Sequence, residues 1–215
     1  MSLLTQARFG RARAAKQRGV VLFFALISLL AIMLAAVALV RSVDTSTLIA
    51  GNLAFRQAAT TSGDGGTEAA LNWLFTTETA NSAKNVYNDS THAFNVDNAA
   101  AGYYAHIDLG VNLTDGTGIQ WTSADSALVL PDPDSSGNST RYVIQRMCRN
   151  AAIIQGNECL FSGPLQNTNG MNIPLPQEVC KGAGCPAAGQ TPQIRITSRT
   201  TGPRNTISYV QAFVY

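Results

Sequence analysis

A chain of 215 residues, 46% hydrophobic and only 13% charged, is long enough for one core-bearing domain or at most two small ones. Its formal charge of +2 averages two unlike parts. Arg8, Arg11, Arg13, Lys16 and Arg18 precede Gly19 with no acid among them, which leaves ten basic against thirteen acidic residues beyond it, a net of −3. A mildly acidic body with scattered arginines lacks the basic stripe that nucleic-acid binding needs, so no nucleic-acid partner is expected.

The first element is "VVLFFALISLLAIMLAAVALV", residues 20–40, with no charge and Ser28 as its one polar side chain. Its twenty-one residues, as a helix, reach roughly 31 Å, close to the hydrocarbon thickness of a bilayer. The basic cluster before it marks the cytoplasmic flank of a membrane segment. Residues 1–19 therefore read as a cytoplasmic leader, 20–40 as a single span, and the rest as exported. "AVA" at 36–38 fits the small-x-small rule of a secretory cleavage site. Leu39 and Val40 continue the apolar run past that site, so an anchor is expected in preference to a removed signal.

The helical pattern does not stop at the span. Residues 41–80 contain no proline, and Leu48, Phe55, Ala59 and Ser62, then Ala70, Trp73 and Leu74, recur three or four apart along one stripe. This predicts one helix of nearly sixty residues, apolar all round at first and one-sided afterwards. "SGDGG" at 62–66 is its weak point, since each glycine costs about 1 kcal/mol relative to alanine. The helix either bends there or is held straight by packing.

Residues 81–215 read as a globular, β-rich domain. Asn, Asp, Gly, Ser and Thr crowd 81–120, with "YYAHIDL" at 103–109 as a short apolar group. "DSALVL" at 125–130 and "RYVIQRMC" at 141–148 read as strands joined by the turn-rich "PDPDSSGNST". "QIRITSRT", the turn "TGPRN" and "TISYVQAFVY" form a closing hairpin. The fold class is thus α+β, a long N-terminal helix on a C-terminal antiparallel sheet. Cys148, Cys159, Cys180 and Cys185 sit on the exported side, where thiols oxidise. Four cysteines permit three pairings; the short local loops favour Cys148 with Cys159 and Cys180 with Cys185. Spacings of this kind, without a CxxC pair or nearby histidine, do not describe a zinc site.

Catalytic patterns are missing. His92 and His106 lack a nucleophile or ligand partner at a meaningful spacing, and neither G-x-S-x-G nor H-E-x-x-H occurs. No enzyme activity, cofactor or metal is expected. "SGDGGT" lacks the lysine of a phosphate loop. Asp132, Asp134 and Asn138 are possible oxygen ligands for Ca²⁺, yet the EF-hand spacing and terminal Glu are missing, and a turn is the better reading. Trp73 is expected to anchor the helix to the sheet.

A basic leader, a membrane-length helix that runs on as an amphipathic one, and a disulfide-bearing sheet occur in this order in type IV pilins. "RGVVLFFALISLLAIMLAAVALVRS" and "AGNLAFRQAA" at 50–59 resemble the N-terminal region of PilX-type minor pilins, and "ITSRTTGPRNTISYVQAFVY" is similar to their C-terminal end. The resemblance is strong over residues 16–75 and does not extend to 80–190. It implies cleavage by a prepilin peptidase between Gly19 and Val20, after the leader residues Lys16 and Arg18, with methylation of the new terminus. The helix then leaves the inner membrane for the core of a fibre, and the periplasmic domain is carried with it. Implied partners are other minor pilins, the major pilin, a tip adhesin and the inner-membrane assembly platform. The chain departs from the pattern at Val20, where Phe or Met is usual, and at position five of the mature chain, where Phe24 replaces the usual Glu. A carboxylate in an apolar medium needs a partner, so Phe24 fits a subunit with no neighbour above it, at or near the tip and engaged in initiation. A type II secretion pseudopilin, or a non-polymerising inner-membrane-anchored periplasmic binding module, are the alternatives.

Overall fold

The computed structural model describes residues 18–108, 112–114, 118–156, 158–162 and 190–215. Lys16, Cys180 and Cys185 lie outside them. The long helix α1 spans Arg18–Ala80, 63 residues without a proline to interrupt the hydrogen-bond ladder. It is unbroken across the glycines at 63, 65 and 66. At its end Asn81 closes the last turn, its backbone N–H and side-chain Nδ2 both donating to the Thr77 carbonyl at 3.1 and 2.8 Å. Those bonds occupy a carbonyl that a helix C-terminus otherwise leaves open.

The chain divides into two compact units, residues 1–51 and 52–215. Every described residue of the first is helical. The second holds the remainder of α1 and all the strands: β1 (Tyr103–Tyr104), β2 (Ala127–Leu128), β3 (Ser139–Arg146), β4 (Phe161–Ser162), β5 (Thr191–Pro192), β6 (Ile194–Gly202) and β7 (Thr206–Val214). The main sheet runs β1-β3-β6-β7, with β2 pairing farther along the same β3, and β4 and β5 make a separate pair. The β6–β7 hairpin falls where the alternation of Ile194, Arg195 and Ile196 places it, with Gly202 opposite Thr206.

The sheet is mixed rather than antiparallel throughout. Tyr103 and Tyr104 of β1 pair in parallel with Ile144 and Gln145 of β3. A parallel pair requires a long crossover, and residues 105–138 supply it; the expectation of an antiparallel sheet overlooked this return. "DSALVL" contributes only Ala127 and Leu128 to a ladder.

Strand alternation sends successive side chains to opposite faces, and both faces of this sheet are covered. On one, Tyr142, Ile144 and Ile196 meet Ala70 and Tyr103, with Trp73, Leu74 and Phe94 packed around them. On the other, Val143 meets Leu113, Ile119 and Trp121. Trp121 donates its indole N–H to the Leu113 carbonyl at 2.9 Å, which lets so polar an edge stay buried.

Candidate functional site: an exposed apolar helix and a glycine seam

The helix surface over residues 20–40 is the most unusual feature of the first unit. From Val20 to Val40 the large apolar side chains are 47–68% exposed, Phe24 among them at 62%. Its lone hydroxyl, on Ser28, donates to the Phe24 carbonyl at 2.9 Å, so the segment offers no unpaired side-chain polar group. Thr45, Ser46 and Thr47 do the same with the carbonyls of Arg41, Ser42 and Asp44. A helix of this length and composition meets the requirements of a membrane anchor. Fourteen Leu, Ile, Phe and Val side chains between 20 and 40, each worth about 0.3–0.6 kcal/mol at the middle of a span, make it a candidate for insertion. Gly19 and Val20 lie in the first turn of α1, and nothing crowds Gly19 within 4 Å.

In the second unit α1 meets the sheet along a stripe of small residues. Ala59, Gly63, Gly66 and Ala70 are buried, four, three and four residues apart. A side chain at Gly63 would come within 2.7 Å of Val210 Cγ2, and one at Gly66 within 2.8 Å of Ser198 Cβ and 2.9 Å of Thr140 Cγ2. Helix backbone and strands β3, β6 and β7 therefore touch directly. Ser198 Oγ donates to the Gly63 carbonyl at 2.7 Å, a bond possible only at this approach. "SGDGG" is thus a packing device, and Gly65, with nothing within 4 Å, is its outward residue. Leu48 of the expected stripe lies instead in the first unit and is 63% exposed. Trp73 packs on Tyr103, ring centroids 5.3 Å apart, where the sequence places the anchor.

The turn bearing the possible calcium ligands is docked on α1 by hydrogen bonds. Asp134 accepts the Ser62 hydroxyl at 2.5 Å and the backbone N–H groups of Ser136 and Asn138 at 2.8 and 2.9 Å. Asn138 Nδ2 donates to Ser62 Oγ at 2.9 Å. Burial raises the Asp134 pKa, but these donors outweigh it and hold the carboxyl below its usual range. Asp134 is thus fully used as a turn cap, while Asp132 is exposed. Among the described residues no group of three or more His, Cys, Asp or Glu is arranged to hold a metal.

Cys148 and Cys159 form a disulfide, with Cys148 1% exposed. Backbone bonds from Arg149 N–H to the Glu158 carbonyl and Leu160 N–H to the Met147 carbonyl, both 2.8 Å, bring the two ends of the loop together beside it. Nothing in the composition signals the role of Arg146, which is 1% exposed. It donates to the carbonyls of Phe94, Ala105 and Ala152 at 2.7, 2.9 and 2.5 Å and to Asn95 Oδ1 at 2.8 Å. One side chain thereby ties β3 to three loops. His92 is buried beside it, accepting the Phe94 N–H at Nδ1, with Nε2 3.6 Å from Glu78. His106 faces Asp97 at 3.3 Å near the surface.

Comparisons with protein-family models, curated proteins and solved structures found no match to this chain.

Proposed function

We propose that the chain is a PilX-type minor pilin, a subunit that helps initiate type IV pilus assembly and resides at or near the fibre tip. The observation that carries this is the apolar surface at 20–40, preceded by "KQRG" and continued by a helix whose later turns are built into a folded domain. Such a surface is satisfied by the inner membrane before assembly and by neighbouring helices afterwards, since both are apolar surroundings. Prepilin peptidase cuts after Gly19 in this scheme; the partners are other minor pilins, the major pilin, a tip adhesin and the assembly platform. Phe24 supports the tip position, because an apolar side chain needs no charged neighbour where a glutamate does.

Mass spectrometry of the protein from its native membranes tests the proposal. A mature chain beginning at methylated Val20, with Gly19→Val leaving the leader uncut, is the expected result. A chain beginning at Leu39 means secretory cleavage and overturns it. One that retains Met1 also overturns it, in favour of a non-polymerising anchored binding module.

A further inference from the structure

The second unit contains a cavity of about 620 Å³ lined by two arginines from separate parts of the chain, Arg56 from α1 and Arg204 from the turn between β6 and β7. No Asp or Glu lines it. Among the described residues the side-chain contacts of salt-bridge type are His92–Glu78 and His106–Asp97, so no carboxylate there lies within 4 Å of either guanidinium. That is unexpected in a body where acids outnumber bases.

Arg204 sits in the tight turn that closes the β6–β7 hairpin. Arg204 and Asn205 have φ of 57° and 59°, in the left-handed region. Asparagine tolerates this conformation; arginine has no such preference. Thr206 locks the turn by donating its hydroxyl to the Pro203 carbonyl at 2.9 Å. Arg204 then lies over the Phe55 ring, 5.5 Å from its centroid, and this contact holds the guanidinium without discharging it. Thr60 and Ser208, whose hydroxyls are 3.4 Å apart, and Asn205 add neutral donors to the wall.

We propose that this cavity binds a phosphate group. A carboxylate offers two oxygens and is satisfied by one guanidinium fork, whereas phosphate presents further oxygens on other sides and can accept from both arginines and a hydroxyl together. The group is supplied either as a free anion or on an anionic lipid headgroup, which share this chemistry. The site stands whether or not the apolar helix enters a fibre.

Titration calorimetry of the full-length protein in dodecyl maltoside micelles, at fixed ionic strength held with chloride, tests this with inorganic phosphate as the probe. Saturable binding at one site per chain is expected, weakened at least tenfold in Arg56→Gln and in Arg204→Gln and unchanged in Asp64→Asn, which lies outside the cavity. Both arginines are exposed, and circular dichroism confirms that each variant keeps its helix. A second arm repeats the titration with micelles doped with phosphatidylglycerol or with phosphatidylcholine. Competition by the first alone identifies a lipid headgroup as the source; no competition identifies a free anion, and either upholds the site. Absence of saturable binding by both probes, or wild-type affinity in the folded Arg56→Gln and Arg204→Gln variants, overturns it.

Discussion

Replacing Gly66 by alanine adds one methyl group where helix and sheet are already in contact. The new Cβ meets Ser198 Cβ at 2.8 Å and Thr140 Cγ2 at 2.9 Å. Carbon atoms rest at about 3.5 Å or more, so the helix must retreat by roughly 0.7 Å or the strands must part. Neither neighbour can swing away: Ser198 is completely buried and its Cβ is fixed to the β6 backbone, while Thr140 is 6% exposed and shares a hydrogen bond with Thr200 at 2.9 Å. Retreat also lengthens the bond from Ser198 to the Gly63 carbonyl. Overpacking of this kind costs about 1–3 kcal/mol, against a gain of about 1 kcal/mol that alanine brings to a helix interior, a net loss of up to about 2 kcal/mol. Gly65→Ala, one residue away with nothing within 4 Å, collects the gain alone. Thermal unfolding in micelles, followed by circular dichroism and tryptophan fluorescence, compares the two. We expect Gly66→Ala to melt up to about 8 °C below wild type and Gly65→Ala to melt about 2–4 °C above it. If both variants rise together, the seam is not a close contact and the glycines need another explanation.

Burial, opposed by the Glu78 and Asp89 carboxylates, lowers the His92 pKa below its ordinary value near 6.5. The unfolded chain then binds the extra proton first, so stability is fully present above about pH 6.5 and declines as pH falls through and below it; His92→Gln flattens a melting profile between pH 7 and pH 5, and an unaltered slope refutes the assignment. Arg146→Met removes donors from three carbonyls and Asn95 and is expected to cost about 3–5 kcal/mol in denaturant unfolding, with a cost under 1 kcal/mol counting against its role as a hub. Reducing Cys148–Cys159, or replacing both by serine, opens a loop with a sequence separation of 11 and should lower stability by about 3 kcal/mol, and an unchanged midpoint would show the loop to be held without it. Phe24→Glu should reduce fibres per cell at normal protein level, since a carboxylate without a partner costs a few kcal/mol in an apolar core; wild-type fibre numbers would remove the tip assignment while leaving the pilin proposal in place.

The long helix, the closing hairpin and the Cys148–Cys159 link were legible because each is specified locally, by periodicity, by alternation around a turn and by a short loop. The seam was legible only as an anomaly. Helix propensity counts Gly63 and Gly66 as defects, and nothing local to residues 62–66 reveals that Ser198 and Thr140 approach from strands more than seventy residues away. The parallel β1–β3 pair was hidden for a related reason: two residues, Tyr103 and Tyr104, are too few to show a period, and their partner is set by the whole crossover. Arg146 belies the rule that arginine is found at the surface, since its burial depends on acceptors from three separate loops. Arg204 shows the opposite limit, its hairpin being predictable while the left-handed conformation of its turn residues is not.

Stability and surface apolarity fall on different residues of this chain, and that separates the phenotypes its variants should show. Among the described residues every buried apolar one, from Ala59 to Ile196, belongs to the second unit, as do the Arg146 network and the disulfide. The large apolar residues between Val20 and Val43 are 47–68% exposed. If the helix enters a membrane and a fibre as proposed, substituting among them changes how it partitions there and is expected to leave the buried residues of 52–215 unchanged. Substituting at Gly66 or Arg146 acts through the fold and leaves that partitioning alone. A variant at Phe24 that lost its folded domain, or one at Gly66 that changed only membrane insertion, would contradict this division.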